Sequence, residues 1–223
     1  MNRYERNAPA ITPDEQKRLA AKRALVAGCG GLGGYIIEFL GRAGVGHITA
    51  VDGDAFAASN LNRQLLATED TLGRLKPVCA KERMSRVNPE VEIAPVCENI
   101  TKENAGGIVA GHDVIVDALD NGEARIILTA AAKDAGIPFV VGAIGGWYGR
   151  VITLYPGDNV DFLWQGSAAP SAGNLCFTAA HVASIQAAEA IKALLGRPCA
   201  SRGKLLEIDL LNMSWEEIAL DFE

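Results

Sequence analysis

Short apolar runs alternate along the chain with segments whose apolar residues recur at helical spacing. Ala24-Leu25-Val26-Ala27, Ile48-Thr49-Ala50-Val51, Val91 to Val96, Val114-Ile115-Val116-Asp117-Ala118 and Phe139-Val140-Val141 predict buried strands. Between them, Tyr35 to Ala43, 77–88, a short piece near 102–110 and Glu123 to Ala135 predict helices; Pro77 opens the second and Asn88-Pro89 closes it. A polar arm, 1–12, comes first, and Thr12-Pro13-Asp14-Glu15 is a helix start with proline at the first helical position. Strands alternating with helices pair in parallel through crossovers, so the expected fold class is α/β with a doubly wound, mostly parallel, Rossmann-like sheet. After Gly149 the pattern changes. Arg150 to Tyr155 predicts a strand, 158–175 a loop and 177–195 an Ala-rich helix ending at Gly196. Leu205 to Asp209 and Trp215 to Leu220 then predict a closing hairpin or meander, giving a C-terminal mixed or antiparallel extension. With no internal repeat or linker, one domain is expected over 1–223: an arm and helix (1–22), a core of strand–helix units (23–149) and a closing part (150–223).

Composition narrows the class. The 223 residues are 49% hydrophobic and 22% charged, which suits a globular chain and excludes a disordered one. A formal charge of −6 and a pI near 5.2 provide no basic field for phosphate backbones, so nucleic acid is not an expected partner. The five cysteines form no C-x-x-C pair, so a four-thiolate zinc site has no basis in the sequence. An odd cysteine count behind an N-terminus too charged for a signal peptide points to a reducing, cytoplasmic setting. Residues 162–188 lack Asp, Glu, Lys and Arg, but Ser, Asn, Gln, His, Pro and Gly throughout that stretch favour a buried or interfacial segment over a membrane span.

The excess of glycine, 24 residues in all, is clustered. The first strand runs into Gly28-Cys29-Gly30-Gly31-Leu32-Gly33-Gly34, which fits G-x-G-x-x-G and lets backbone N–H groups at a helix start approach an anion. Asp52 ends the second strand, where a carboxylate accepts hydrogen bonds from ribose hydroxyls. These features alone indicate an adenine nucleotide and leave NAD, FAD and ATP open; a Walker A loop is absent. Downstream, Asp52-Gly53-Asp54 leads to Ser59-Asn60-Leu61-Asn62-Arg63-Gln64 and then Gly73-Arg74-Leu75-Lys76. Asn60, Arg63 and Lys76 would bring an amide and two cations to the nucleotide mouth, and Lys76 sits at a helix start where phosphate is favoured. A triphosphate losing pyrophosphate needs such cations as charge builds on its leaving oxygens; a nicotinamide does not. The alternative for Arg63 and Lys76 is surface salt bridging. Asp120, in Asp117-Ala118-Leu119-Asp120-Asn121, would face the same crevice as a Mg²⁺ ligand, or would cap the helix at 123–135.

GxGGLG, VDxD, SNLNRQ, G-x-x-K and DxxDN, in this order and spacing, resemble the ThiF/MoeB/HesA family of ubiquitin-activating-type adenylyltransferases. The resemblance runs from Arg3-Tyr4-Glu5-Arg6-Asn7 through Gly149 and resumes at Ser184 to Lys192. It implies that a small ubiquitin-fold sulfur carrier protein is activated by ATP. The carrier's C-terminal Gly-Gly carboxylate attacks the α-phosphate, giving an acyl-adenylate and pyrophosphate, in thiamine- or molybdopterin/tungstopterin-type cofactor synthesis. By that resemblance Gly28, Gly30, Gly31 and Gly33 cradle the nucleotide and Asp52 holds the ribose beside Asp54. Asn60, Arg63 and Lys76 hold the phosphates, Asp120 holds Mg²⁺, and residues 150–223 take part in carrier binding. Arg6 matches an arginine supplied by a partner subunit, which implies a homodimer with composite sites. Its guanidinium would stabilise phosphate charge bidentately.

The sequence also departs from the family. Where many members carry two zinc-binding C-x-x-C pairs, this chain reads Asp161-Phe162-Leu163-Trp164-Gln165-Gly166, so it resembles a short form in which zinc is not expected. Many members use a cysteine before the late helix for covalent linkage to the carrier; Cys176 falls nearer the helix start, and Cys29 and Cys199 match that position less well. His47, His112 and His181 are scattered, which predicts neither a metal site nor a triad. Trp147, Tyr148 and Trp164 either line a channel for the carrier tail or simply pack. Two other classes compete with the adenylyltransferase: an NAD(P)-dependent oxidoreductase, which leaves SNLNRQ unexplained, and a non-catalytic half of a heterodimeric activating enzyme.

Overall fold

Burial on both faces of the strands organises the structure, a computed structural model that describes residues 3–158 and 173–220. In β1 (Arg23–Ala27), Ala24 and Val26 pack into one apolar cluster while Leu25 and Ala27 pack into another on the opposite face. In β4 (Val114–Asp117), Val114 and Val116 divide from Ile115 in the same way. Such runs need helices on both sides. Burying one large aliphatic side chain contributes about 1.5–3 kcal/mol.

β1 and β4 lie at the centre of an eight-stranded sheet ordered β3-β2-β1-β4-β5-β6-β7-β8. β2 (His47–Val51), β3 (Glu92–Val96) and β5 (Phe139–Gly145) extend the parallel part. β3 carries Pro95, which an edge strand tolerates because no ladder N–H is needed on its open side. β6 (Tyr148–Leu154), β7 (Lys204–Asp209) and β8 (Ser214–Ala219) add on antiparallel, as the C-terminal pattern predicts. The reversal starts at the tight turn Gly146-Trp147, where Gly146 takes a φ of 57°, so β5 is longer than its apolar run and the change of pattern falls inside β6.

α1 (Pro13–Ala20), α2 (Gly33–Ala43), α3 (Lys76–Val87) and α6 (Cys176–Leu195) contribute to the first cluster, and α4 (Ala105–Val109) and α5 (Gly122–Ala135) to the second. α1 starts where the Thr12-Pro13-Asp14-Glu15 pattern predicts, and Thr12 and Glu15 form a capping box there. No helix among the described residues is long and apolar enough to cross a membrane. Asp161 to Gly166, Trp164 and most of the loop expected at 158–175 lie outside the described residues.

α6 packs across β4, β5 and β6, and three polar residues interrupt its buried face. Thr178 Oγ1 donates to the Gly146 carbonyl at 2.8 Å. Gln186 belongs to the functional site. Glu189, 2% exposed, ties down the connection from α6 to β7: its Oε2 accepts from the Ser201 N–H at 2.9 Å and from Ser201 Oγ at 2.7 Å, and Oε1 pairs with Lys192 at 2.5 Å. Burial alone would raise the Glu189 pKa, but the Lys192 and Ser201 donors outweigh it and hold the carboxyl below its ordinary 4.5. This contribution is therefore complete above pH 4.5 and is lost as pH falls through the lower folded-state value. Glu189→Gln is expected to cost about 1–2 kcal/mol at neutral pH and to shallow the acid limb of the Tm-against-pH profile, as measured by calorimetry.

Candidate functional site

The parallel strands all end at one edge, and the loops after β1, β2, β3, β4 and β5 enclose a cleft of about 850 Å³ there. In a doubly wound sheet this is where ligands bind. Two glycines make the cleft possible. A Cβ on Gly33 would lie 1.8 Å from the Gly28 carbonyl oxygen, and Gly28, at φ 96°, would place its own Cβ 2.5 Å from the Ala118 carbonyl oxygen. Only glycine lets α2 start directly above the end of β1 with β4 alongside. Gly30 and Gly31 differ: added Cβ atoms would meet only side-chain atoms at 3.4 Å or more, so the protein's own packing does not require glycine there. Both line the cleft, where bare backbone permits a ligand's close approach. α2 has no side-chain N-cap, so its amino end faces the cleft electropositive.

Asp52 joins this loop to the next. Its Oδ2 accepts from the Cys29 N–H at 2.8 Å and its Oδ1 from the Asp54 N–H at 2.9 Å, fixing the carboxylate at the cleft wall. Lys76, 6% exposed at the start of α3, places Nζ 2.9 Å from Asp54 Oδ2 and 3.6 Å from Asp52 Oδ2. The two acids and the lysine predicted from separate motifs are one cluster, in which Asp54 holds the ammonium. Arg63 lines the cleft next to Gly31, and its Nη1 donates to Ser59 O and Asn62 Oδ1, both at 3.0 Å. In place of the surface ion pairs considered for these cations, Lys76, itself buried, pairs inside the cleft with the exposed Asp54 and the more buried Asp52.

Asn60 does not line the cleft. Its Oδ1 accepts from the Ala57 N–H at 3.0 Å and its carbonyl accepts from the Arg63 and Gln64 N–H groups, so it shapes the turn that presents Arg63. Asp120 is exposed on the cleft. The cap of α5 is Asn121, whose Oδ1 accepts from the Glu123 and Ala124 N–H groups at 2.9 and 3.3 Å, and the helix begins at Gly122. The capping alternative for Asp120 is thereby removed. Arg6 lies in a 3-10 turn, Glu5–Asn7, exposed and away from this cleft. The arm around it is pinned near the opposite ends of β2 and β3: Tyr4 Oη accepts from Asn88 Nδ2 at 2.8 Å, and the Tyr4 ring fills the space beside Gly44.

A network at the floor of the cleft, which Arg125 lines while Asp117 and Gln186 lie buried behind it, escaped the sequence analysis. Asp117, fully buried, accepts from Arg125 Nε at 2.6 Å; burial pushes its carboxyl up, and the guanidinium offsets part of that. Gln186 Nε2 donates to the Asp117 carbonyl at 2.7 Å. Two signals pointed to these residues. Arg125 is a cation close to a helix N-terminus, where the macrodipole disfavours it, and Gln186 is polar in line with Val182 and Ala190 on an otherwise apolar helix face. Gln64, 7% exposed, also lines the cleft, and its Oε1 has no hydrogen-bond partner.

The remaining candidates divide. Tyr148 lines the cleft, whereas the Trp147 ring packs at a tilt against Phe177, with centroids 4.9 Å apart. Cys29 is buried in the core, and burial pushes its thiol far up, so it is no nucleophile. Burial also raises the half-buried Cys199. Cys176 is exposed at the first residue of α6. The histidines stay apart, and no group of three or more His, Cys, Asp or Glu residues able to hold a metal occurs among the described residues. A Mg²⁺ ion still fits Asp120, because magnesium usually takes one or two carboxylates and completes its shell with phosphate oxygens and water.

The sequence model described as the ThiF family matches residues 4–223. The chain belongs to the ThiF family. It is 36% identical over 229 residues to the SAMP-activating enzyme E1 of Haloferax volcanii, covering 98% of this chain and 84% of that protein. It is 38% identical over 207 residues to the sulfur carrier protein ThiS adenylyltransferase of Bacillus subtilis, covering 89% of this chain and 61% of that longer protein. Among solved structures, E. coli MccB with ATP superposes over 100% of this chain and 72% of that one, with a TM-score of 0.86 at 21% identity, a likeness of fold. For this ThiF-family chain, Gly33→Ala is expected to abolish nucleotide binding and lower Tm, whereas Gly31→Ala should weaken binding at nearly unchanged Tm; calorimetric titration and thermal melts separate the two.

Proposed function

We propose that this protein adenylylates the C-terminal Gly-Gly carboxylate of a small ubiquitin-fold sulfur carrier protein, consuming ATP and releasing pyrophosphate. The observation that carries the reading is the convergence on one cleft of the glycine loop, the Asp52–Asp54–Lys76 cluster, Arg63 and the exposed Asp120. Both named relatives support it, one a ThiS adenylyltransferase and the other a SAMP-activating enzyme.

In this reading the amino end of α2 and bare Gly30 and Gly31 receive the nucleotide, and Asp52 accepts from the ribose hydroxyls. Lys76 and Arg63 bear on the phosphates. Lys76 is held in place by Asp54, so little ordering remains when substrate binds. The carrier's carboxylate attacks the α-phosphate, the bond to the β-phosphate breaks, and the cations offset the charge that gathers on the departing pyrophosphate. Mg²⁺ held by Asp120 would neutralise phosphate charge in the same place. Tyr148 borders the route for the carrier tail. Arg6, rigidly presented at the far end of the sheet, serves the cleft of a second copy in a homodimer. Five free cysteines suit a reducing, cytoplasmic location and a pathway of sulfur-containing cofactor synthesis of the thiamine or molybdopterin/tungstopterin type.

The test is exchange of radiolabelled pyrophosphate into ATP with and without a Gly-Gly-ended carrier. Exchange that depends on the carrier is expected; exchange indifferent to it, or none despite ATP binding, refutes the reading. Arg63→Ala and Lys76→Ala should each reduce exchange by about a hundredfold or more with circular dichroism unchanged. Mixing Arg6→Ala with Lys76→Ala, each inactive alone, should restore about a quarter of wild-type exchange by random subunit pairing. No recovery would place Arg6 outside the site.

A further inference from the structure

Asp120 is placed by a loop that has almost no regular structure of its own. The chain leaves the sheet at Asp117 and enters α5 at Gly122, so residues 118–121 must be held from outside. At the near end the Ala118 N–H donates to the Ala27 carbonyl at 2.8 Å, and Gln186 grips the Asp117 carbonyl at 2.7 Å. Asp117 Oδ1 accepts from the Leu119 N–H at 2.9 Å, and at the far end Asn121 caps α5. The middle is closed by Arg125 alone among these groups. Its Nε meets Asp117 Oδ2 at 2.6 Å, and its Nη2 meets the Leu119 carbonyl at 2.5 Å and the Gly142 carbonyl at 3.4 Å. One planar fork thus ties the end of β4, the residue immediately before Asp120, and β5.

We infer that Arg125 is a positioning residue for Asp120, fixing that carboxylate in the cleft by clamping the Asp117 side chain and the Leu119 carbonyl together. The inference rests on the adenylylation reading for Asp120's role toward Mg²⁺. Arginine is required because its acceptors lie in different directions; a lysine ammonium keeps the charge but not the fork. Placing a cation near the amino end of α5 runs against the helix dipole, and the buried Asp117 carboxylate offsets that cost.

The experiment measures binding of a non-hydrolysable ATP analogue by calorimetry, in EDTA and across a Mg²⁺ titration. Wild type, Arg125→Lys, Asp120→Asn and the double variant are compared. Arg125→Lys is expected to weaken the Mg²⁺-dependent part of binding about tenfold or more, while binding in EDTA stays within about twofold. The double variant should be no worse than Asp120→Asn alone, because both substitutions break one linkage. Should Arg125→Lys not fold, Asp117→Asn removes the ion pair at constant shape and should give the same Mg²⁺-specific loss. Equal losses with and without Mg²⁺, losses that multiply in the double variant, or wild-type binding indifferent to Mg²⁺ would each overturn the inference. Its failure is separable from that of the proposed reaction. Mg²⁺-specific coupling without carrier-dependent exchange leaves Arg125's role standing and removes the carrier; exchange without the coupling does the reverse.

Discussion

The Gly33 backbone sits so close to the Gly28 carbonyl that a single methyl group would end the contact. That approach sets α2 on top of β1 and turns its uncapped amino end toward the strand ends, and it brings the β1 loop within reach of Asp52 through the Cys29 N–H. The Asp52 carboxylate in turn lies beside Lys76, which begins α3. Two consecutive crossovers, β1–α2–β2 and β2–α3–β3, are therefore joined at one point by short polar contacts whose geometry is dictated by backbone.

The charges at that point nearly balance before any ligand arrives. Lys76 is neutralised by two carboxylates, and among the described residues Arg63 donates to neutral oxygens, Ser59 O and Asn62 Oδ1. A cleft arranged this way favours an anion that brings its own cation over a bare polyanion, because unscreened phosphate oxygens would face Asp52, Asp54 and Asp120 together. The network beneath follows the same rule, since the buried Asp117 carboxylate is matched by Arg125.

The strand–helix alternation was legible because the central parallel strands are buried on both faces and the helices carry turn or cap residues at their borders. The glycine loop and Asp52 were legible for the same local reason. The part that escaped depends on contacts across the fold. Nothing local distinguishes Asp120 from Asn121 as the cap of α5; only the turn geometry gives Asn121 that task. Nor does spacing reveal that Asp54, two residues past Asp52, holds Lys76. Arg125 and Gln186 each broke a local rule, one against the helix dipole and one within an apolar face. Such conflicts gather at sites, since burying a polar group there serves more than stability.

β8 closes the sheet with every residue exposed, and among the described residues no strand pairs with its outer edge. Two adjacent acids, Glu216 and Glu217, stand midway along it. An antiparallel strand contributed by another molecule of the same sequence would bring these acids face to face across the ladder, where like charges repel. Edge-to-edge pairing of two copies through β8 is thus opposed by the residues themselves.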